Sequence, residues 1–579
     1  MTRSLLNPFS SGHSLPPRGL AAGAIDGVRN GRFDRLFPAT QSPKPDDAML
    51  RKLAEFMVTS FDATGEAKDA NGNPDPDKGK IIGEAEPADE NATIPAAYTY
   101  FGQFVDHDIT LDPTDFGQSQ KDVSATVDFR TPALDLDCVY GGGPADQPSL
   151  YRNARNGARH LLRLGAVIDG AGPGSTRNDL LRLPAASPTD SAQLALIGDK
   201  RNDENKIVAQ VQATIISLHN KIYEDSSFHA GIADAKDRFA NTVRLVRWHY
   251  QWVVLFDYLS GHLVMSTALS DFGSLEHPHL PFYDKVMASG RDYPFMPVEF
   301  SGAVYRLGHS MVRPSYALSA KNLTKGANLR IATFGPKADE DLRGFGQPIT
   351  KDWSIDWGFF VDGVKPDGAD PSWVLPQPSY RLDTRVGNPL ANLPEFQDSD
   401  GKGTIEGNLA YRNLSRAIGL ALPTGEEAAK ALNITPMTTA EVWSAGSRLC
   451  KEESGGSEIN SRRTAMDGHG FAAHFAGRTP LWFYVLREAE FYGCTRGLPD
   501  AYLNTPSLNS NQEEAKQENI NFGGQHLGPV GSRIVLETFL ALLWHDRRSF
   551  LHDPTWRPHP KLNPSGDFTL GKLINFALQ

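Results

Sequence analysis

Eleven residues, Tyr100-Phe-Gly-Gln-Phe-Val-Asp-His-Asp-Ile-Thr110, constrain this chain more than any other stretch. They set Gln103, Asp106, His107 and Asp108 inside an apolar, aromatic run. Phe101, Phe104, Val105 and Ile109 imply burial, and a buried carboxylate needs a partner or a metal. On a helix, Gln103 and His107 lie one turn apart and share a face. Asp108 is turned by about 100° from His107, so it addresses a different neighbour. One helix can therefore offer an imidazole and an amide to one ligand and a carboxylate to another. The alternative is a surface helix with acids flanking a histidine. The four apolar residues argue against it.

A chain of 579 residues could hold several domains by length alone. No long Gly/Ser or Pro linker divides its middle, so one large, mainly α domain with little β is expected over residues 46–579. A polar, Pro/Gly-containing extended arm is expected over 1–45. No run of 18 apolar residues suggests a transmembrane helix. The beginning lacks a basic start followed by an apolar core, so no classical signal peptide is expected and the compartment stays open. A net charge of −11 argues against nucleic acid as a partner. Cys138, Cys450 and Cys494 are too few for a disulfide framework.

Pro95 sits where the first turn of the His107 helix would tolerate proline. Helical spacing of Val211, Ile215, Leu218 and Ile222 predicts a helix over 210–223, with His219 packed on it. Residues 244–264 read as a buried helix. Residues 423–432 begin with Pro-Thr-Gly-Glu-Glu, a good helix start. Residues 527–544 read as a last long helix. Gly, Pro and acidic residues predict a loop over 62–93, and loops with short helices over 334–402.

Three further clusters carry chemistry. In Thr131-Pro-Ala-Leu-Asp-Leu-Asp137, an extended backbone would point Thr131, Asp135 and Asp137 the same way. Oxygen donors of that kind suit calcium, although an ordinary acidic turn reads the same. In Gly198-Asp-Lys-Arg-Asn-Asp-Glu204, Arg201 alone reads as a surface ion-pair partner. In Tyr305-Arg-Leu-Gly-His-Ser310, His309 alone reads as a core histidine. Farther on lies Asn413-Leu-Ser-Arg416.

Together and in this order, the segments between residues 94 and 416 resemble the animal-type haem peroxidases of the peroxidase–cyclooxygenase superfamily. Residues 478–483 and 527–531 look similar too, and the scarcity of cysteine resembles a disulfide-poor, bacterial-type branch. The resemblance implies a mainly α fold with haem b between central helices. It implies that His107, Arg201 and Gln103 lie above the iron and that His309 ligates it from below, with Asn413 holding the other ring nitrogen. It implies that Arg306 and Arg416 flank the cofactor, and that Asp106 and Glu204 can esterify it. It implies a calcium ion held by Asp108, Thr131, the Ala133 carbonyl, Asp135 and Asp137. The implied activity is reduction of hydrogen peroxide through a ferryl intermediate. His107 would carry the proton, because an imidazole titrates near neutrality, and Arg201 would supply a permanent positive charge. Asn205 stands where myeloperoxidase has a haem-linked methionine. Bromide, iodide, thiocyanate or phenols are therefore expected as donors rather than chloride. Two alternatives remain. A fatty-acid dioxygenase of the same superfamily would use a tyrosine three residues before the proximal histidine, where this chain has Arg306. A non-catalytic haem-binding or adhesion protein would not require His107, Arg201 and His309 together.

Overall fold

Side-chain caps fix where six of the helices begin. In the computed structural model, Asp46 caps α1 (Asp47–Met57), Asn205 caps α3 (Lys206–Glu224) and Asp234 caps α4 (Ala235–Trp252). Asn408 caps α6 (Leu409–Gly419), Thr424 with Glu427 forms a capping box on α7 (Gly425–Ala431), and Thr569 caps α10 (Leu570–Leu578). Each such side chain accepts from backbone N–H groups that the first turn leaves without intrahelical partners. The remaining helices used below are α2 (Ala97–Ile109), α5 (Gly308–Met311), α8 (Leu481–Tyr492) and α9 (Pro529–Trp544). The structure describes residues 33–58, 90–111, 128, 130–185, 192–289, 294–323, 330–335, 340–369, 375–396, 404–443, 466, 468–493 and 523–579.

The fold is mainly α. Among the described residues the strands are short and form two-stranded ladders. They are β1 (Phe33–Asp34) with β5 (Met296–Pro297), and β2 (Glu90–Pro95) with β8 (Pro378–Tyr380). The others are β3 (Tyr151–Arg152) with β4 (Leu161–Leu162), and β6 (Ser315–Tyr316) with β7 (Ile331–Ala332). Such ladders cannot build a layer, so the core lies between helices. α9 is buried on nearly every side through Val530, Ile534, Val535, Leu536, Phe539, Leu540, Leu542 and Leu543, as expected of a helix apolar all round. No helix among the described residues is long and apolar enough to cross a membrane.

Two expectations change. Pro95 is not in the first turn of α2; it ends β2, and Ala96 precedes the helix. The Ala96 and Ala97 amides donate to the carbonyls of Gln377 and Phe360, which replace a side-chain cap. The stretch 244–264 is not one regular helix. α4 passes at Val253 into a π-helix that runs to Leu263, a widening that apolar periodicity does not report. Helix α9 is followed by α10, which packs on α3. Of the expected arm over 1–45, residues 33–45 are described. Phe33 and Phe37 are buried, and the amides of Leu36 and Phe37 donate to buried Glu299. The expected loop over 62–93 lies largely outside the described residues.

Candidate functional site

α2 is buried along its whole length except at Gln103 and Asp106, which share one face. His107 is buried beside them. Its Nδ1 lies 2.8 Å from Asn202 Oδ1. Asn202 Nδ2 donates to Gln212 Oε1 at 2.9 Å, and Gln212 Nε2 donates to the Cys138 carbonyl at 3.3 Å. A backbone carbonyl can only accept, so this last bond orients both amides. Asn202 must therefore present oxygen to His107, Nδ1 must carry the hydrogen, and Nε2 is left as the basic nitrogen. Nε2 lies 3.4 Å from Glu204 Oε1. Gln103 Nε2 donates to that same oxygen. Asp106 accepts from the Thr110 hydroxyl at 3.1 Å.

Arg201 stands behind the end of this helix. Its Nη2 donates to the carbonyls of His107 (2.9 Å) and Thr110 (2.7 Å) and to Asp199 (2.8 Å). Nη1 makes no hydrogen bond among the described residues. Asp199 is buried, which raises its carboxyl, but Arg130 and Arg201 outweigh burial and hold it well below the usual range. Arg130 also grips Asp137 at 3.0 Å.

His309 lies on α5, which packs against α2. Burial, then the nearby Arg306 and Arg416, push its imidazole down to about 3, so the ring is neutral. Its Nδ1 lies 2.7 Å from Asn413 Nδ2, and Nε2 makes no hydrogen bond among the described residues. The two ends of an amide exchange by a half-turn. A metal on Nε2 would leave hydrogen on Nδ1, with Asn413 accepting through oxygen. A neutral imidazole with one anchored and one open nitrogen is a donor that fits haem iron. Arg306 donates to the Ser301 carbonyl at 2.9 Å.

On the far side of α2, one oxygen each from Asp108, Asp135 and Asp137 falls within 4.8 Å of the others. Asp108 also accepts from Tyr250 at 3.2 Å and the Leu136 amide at 3.3 Å. Arg548 holds Asp135 at 2.9 Å. An all-oxygen, carboxylate-rich set fits a hard cation such as calcium. The expected extended segment is not what brings these acids together. Residues 131–136 form bends, Leu136 is left-handed (φ 60°), and Asp137 opens a short helix. Thr131 and Ala133 are buried in the same loop.

A family model described as animal haem peroxidase matches residues 114–347. That stretch of the chain is similar to the animal haem peroxidase family. The match takes in Asp135, Asp137, Arg201, Glu204 and His309; α2 precedes it and Asn413 follows it. The fold is similar to that of peroxidase A from Dictyostelium discoideum, with a TM-score of 0.52 and 12% identity over 96% of this chain and 94% of that one. Fatty acid alpha-dioxygenases from Arabidopsis thaliana (12% identity, 87% of this chain, 72% of that one) and Oryza sativa (14%, 95% and 79%) align with TM-scores of 0.44. No curated protein matches the chain. Within this arrangement, sequence reasoning missed Asn202 and Gln212. Asn202 lies beside Arg201, but nothing local to the sequence shows that its amide reaches back to α2. Gln212 sits on the predicted α3, where a buried glutamine in an apolar stripe was the available signal.

Proposed function

We propose that this protein is a haem peroxidase, reducing hydrogen peroxide and oxidising bromide, iodide, thiocyanate or small phenols. The observation that carries the reading is the hydrogen-bonded chain from the Cys138 carbonyl through Gln212 and Asn202 to His107. It leaves His107 Nε2 basic beside Gln103 and Glu204, on a helix packed against the one that bears His309. Haem b would be held by His309, with Asn413 fixing the ring and Arg306 and Arg416 beside it. Asp106 and Glu204 are available for ester links to its rim. When bound, the haem supplies the redox chemistry; the protein aims it.

The residues above it handle protons and charge. His107 Nε2 takes a proton from hydrogen peroxide and returns it to the departing oxygen, while Nδ1 stays hydrogen-bonded to Asn202. Gln103 orients the peroxide and Glu204 borders it. Arg201 Nη1 offers fixed positive charge to the developing oxyanion, while its other nitrogens keep the guanidinium anchored on Asp199 and the α2 carbonyls. Calcium bound by Asp108, Asp135, Asp137, Thr131 and the Ala133 carbonyl would brace the helix that bears His107. Purified protein reconstituted with haem should show a Soret band and oxidise guaiacol or iodide with peroxide. Acid–butanone extraction reads the ester links, because esterified haem stays with the protein. A haem-loaded protein that leaves these donors untouched but takes up oxygen with linoleate would instead be a dioxygenase.

A further inference from the structure

The π-helix Val253–Leu263 turns two adjacent side chains toward α2. Tyr258 presses its hydroxyl against Gly102, where a Cβ would collide with the Tyr258 oxygen. A glycine in mid-helix costs about 1 kcal/mol, and here it makes room for a phenol. The Tyr258 oxygen lies 3.3 Å from that of Tyr305, which also donates to the Gly102 carbonyl at 3.3 Å. Tyr305 is four residues before His309, so this pair lies in the wall between α2 and the His309 segment. The Tyr258 ring runs parallel to that of Tyr98, 4° apart in plane and 6.2 Å between centroids. Tyr98 donates to Asp257 at 2.7 Å, and its ring lies 4.2 Å from that of His262. The His262 side chain is 20% exposed, whereas all three tyrosines and Asp257 are buried.

We propose that Tyr305, Tyr258 and Tyr98 form an electron relay from the haem site toward the surface at His262, with Tyr98 and Asp257 as its radical site. The proposal rests on the peroxidase reading, which supplies the oxidant. Tyr98 loses one electron, which passes through Tyr258 and Tyr305 to a peroxide-derived oxidising equivalent at the haem. Its phenolic proton moves along the hydrogen bond to Asp257. The products are a neutral tyrosyl radical and a protonated carboxyl. A phenol docked near His262 then gives one electron to the radical and its own hydroxyl proton to solvent, leaving as a phenoxyl radical, while Asp257 returns its proton to Tyr98. Burial disfavours any charged form of the phenol, so the proton must leave with the electron and stay close. Of the three tyrosines in the ladder, only Tyr98 donates to a carboxylate, so the oxidising equivalent settles there. Asp257 also accepts from the Leu570 amide at 2.7 Å. A purely structural tie between α2, the π-helix and α10 is the competing account.

The test is freeze-quench electron paramagnetic resonance on the haem-loaded protein mixed with peroxide without donor, with nitroso spin-trap labelling and peptide mapping. The wild type should give a tyrosyl signal and label at Tyr98. Tyr98→Phe should lose that signal, and Tyr258→Phe should leave Tyr98 unlabelled and move label to Tyr305. Asp257→Asn keeps an acceptor for Leu570 but no base, so it should lose label at Tyr98 while its melting temperature stays near wild type. Should Tyr98→Phe not fold, Tyr258→Phe decides alone. A peroxide-driven change in haem absorption together with unaltered labelling in Tyr258→Phe and Asp257→Asn would overturn the relay and leave the peroxidase reading standing. No peroxide-driven change in haem absorption would overturn both.

Discussion

On one face of α2, Gln103, Asp106 and His107 meet amides, a hydroxyl and a single carboxylate, and two of the three keep part of their surface open. On the other face, Asp108 and Asp135 are sealed, with Asp137 partly exposed beside them. Guanidinium groups brace that second region: Arg130 spans Asp137 and Asp199, Arg548 spans Asp135 and Asp546, Arg247 reaches the Asp135 carbonyl, and Arg201 closes on Asp199. The carboxylates Asp108, Asp135, Asp137, Asp199 and Asp546 still outnumber them by one. The open face therefore suits the proton chemistry proposed for it, and the second face suits the cation proposed to neutralise it. The ladder Asp137–Arg130–Asp199–Arg201 joins them, so charge on the sealed side bears on the carbonyl of His107 itself.

Variants on the two sides should separate reaction from rigidity. The largest effect belongs to His309→Ala. Removing the one imidazole anchored by Asn413 should abolish the Soret band of the reconstituted protein, with the fold retained by circular dichroism. Normal haem content in that variant would sink the assignment. Next comes His107→Ala, which should bind haem but react with peroxide about 10² to 10⁴ times more slowly, the usual scale of a lost general acid–base group. Stopped-flow mixing reads the rate, and an unchanged rate would mean that the open face does no proton chemistry.

The sealed side should respond in stability first. Calcium at about 100 times its dissociation constant should stabilise the protein by about 2.7 kcal/mol. Chelation should lower the melting temperature and the activity together, and both should recover on adding calcium back. Asp135→Asn should blunt that response, and Asp106→Asn on the open face should preserve it. If chelation changes neither stability nor activity and elemental analysis finds no calcium, the two faces are not coupled as argued.

How much of this was legible follows the same division. The open face was readable because a helix converts spacing into direction. Gln103 and His107 four apart, with Asp108 turned away, needed only the 3.6-residue period. On the second face, the meeting of the acids was readable but not its cause. Alternation suggested that Thr131, Asp135 and Asp137 point together along a strand, whereas bends and a left-handed Leu136 bring Asp135 and Asp137 to Asp108. Loop geometry of that kind depends on contacts distant in sequence, such as Tyr250 with Asp108 and Arg548 with Asp135. The π-helix escaped for a related reason. Its register is set by what Asp257 and Tyr258 meet on α2, and no local pattern encodes those partners.

The smallest effects should come from the amide chain that fixes the tautomer of His107, and they test the open face most finely. Asn202→Leu removes the acceptor at Nδ1, so the ring can rotate or carry its hydrogen on Nε2. The reaction with peroxide should slow by about tenfold, the low end for losing an orienting partner. Gln212→Leu lies one bond farther out. It frees the Asn202 amide to flip, at a cost on the order of one hydrogen bond, about 1 kcal/mol or a few-fold in rate. Asn202→Asp separates orientation from mere packing. A carboxylate still accepts from Nδ1, so the rate at neutral pH should survive. Its negative charge favours the imidazolium, so the acid limb of the pH–rate profile should move to higher pH. The rate is then lost earlier as pH falls. A pH–rate profile unmoved by Asn202→Asp, with Asn202→Leu as fast as wild type, would mean that the bond at Nδ1 positions nothing and that the basic nitrogen of His107 is set by its ligand alone.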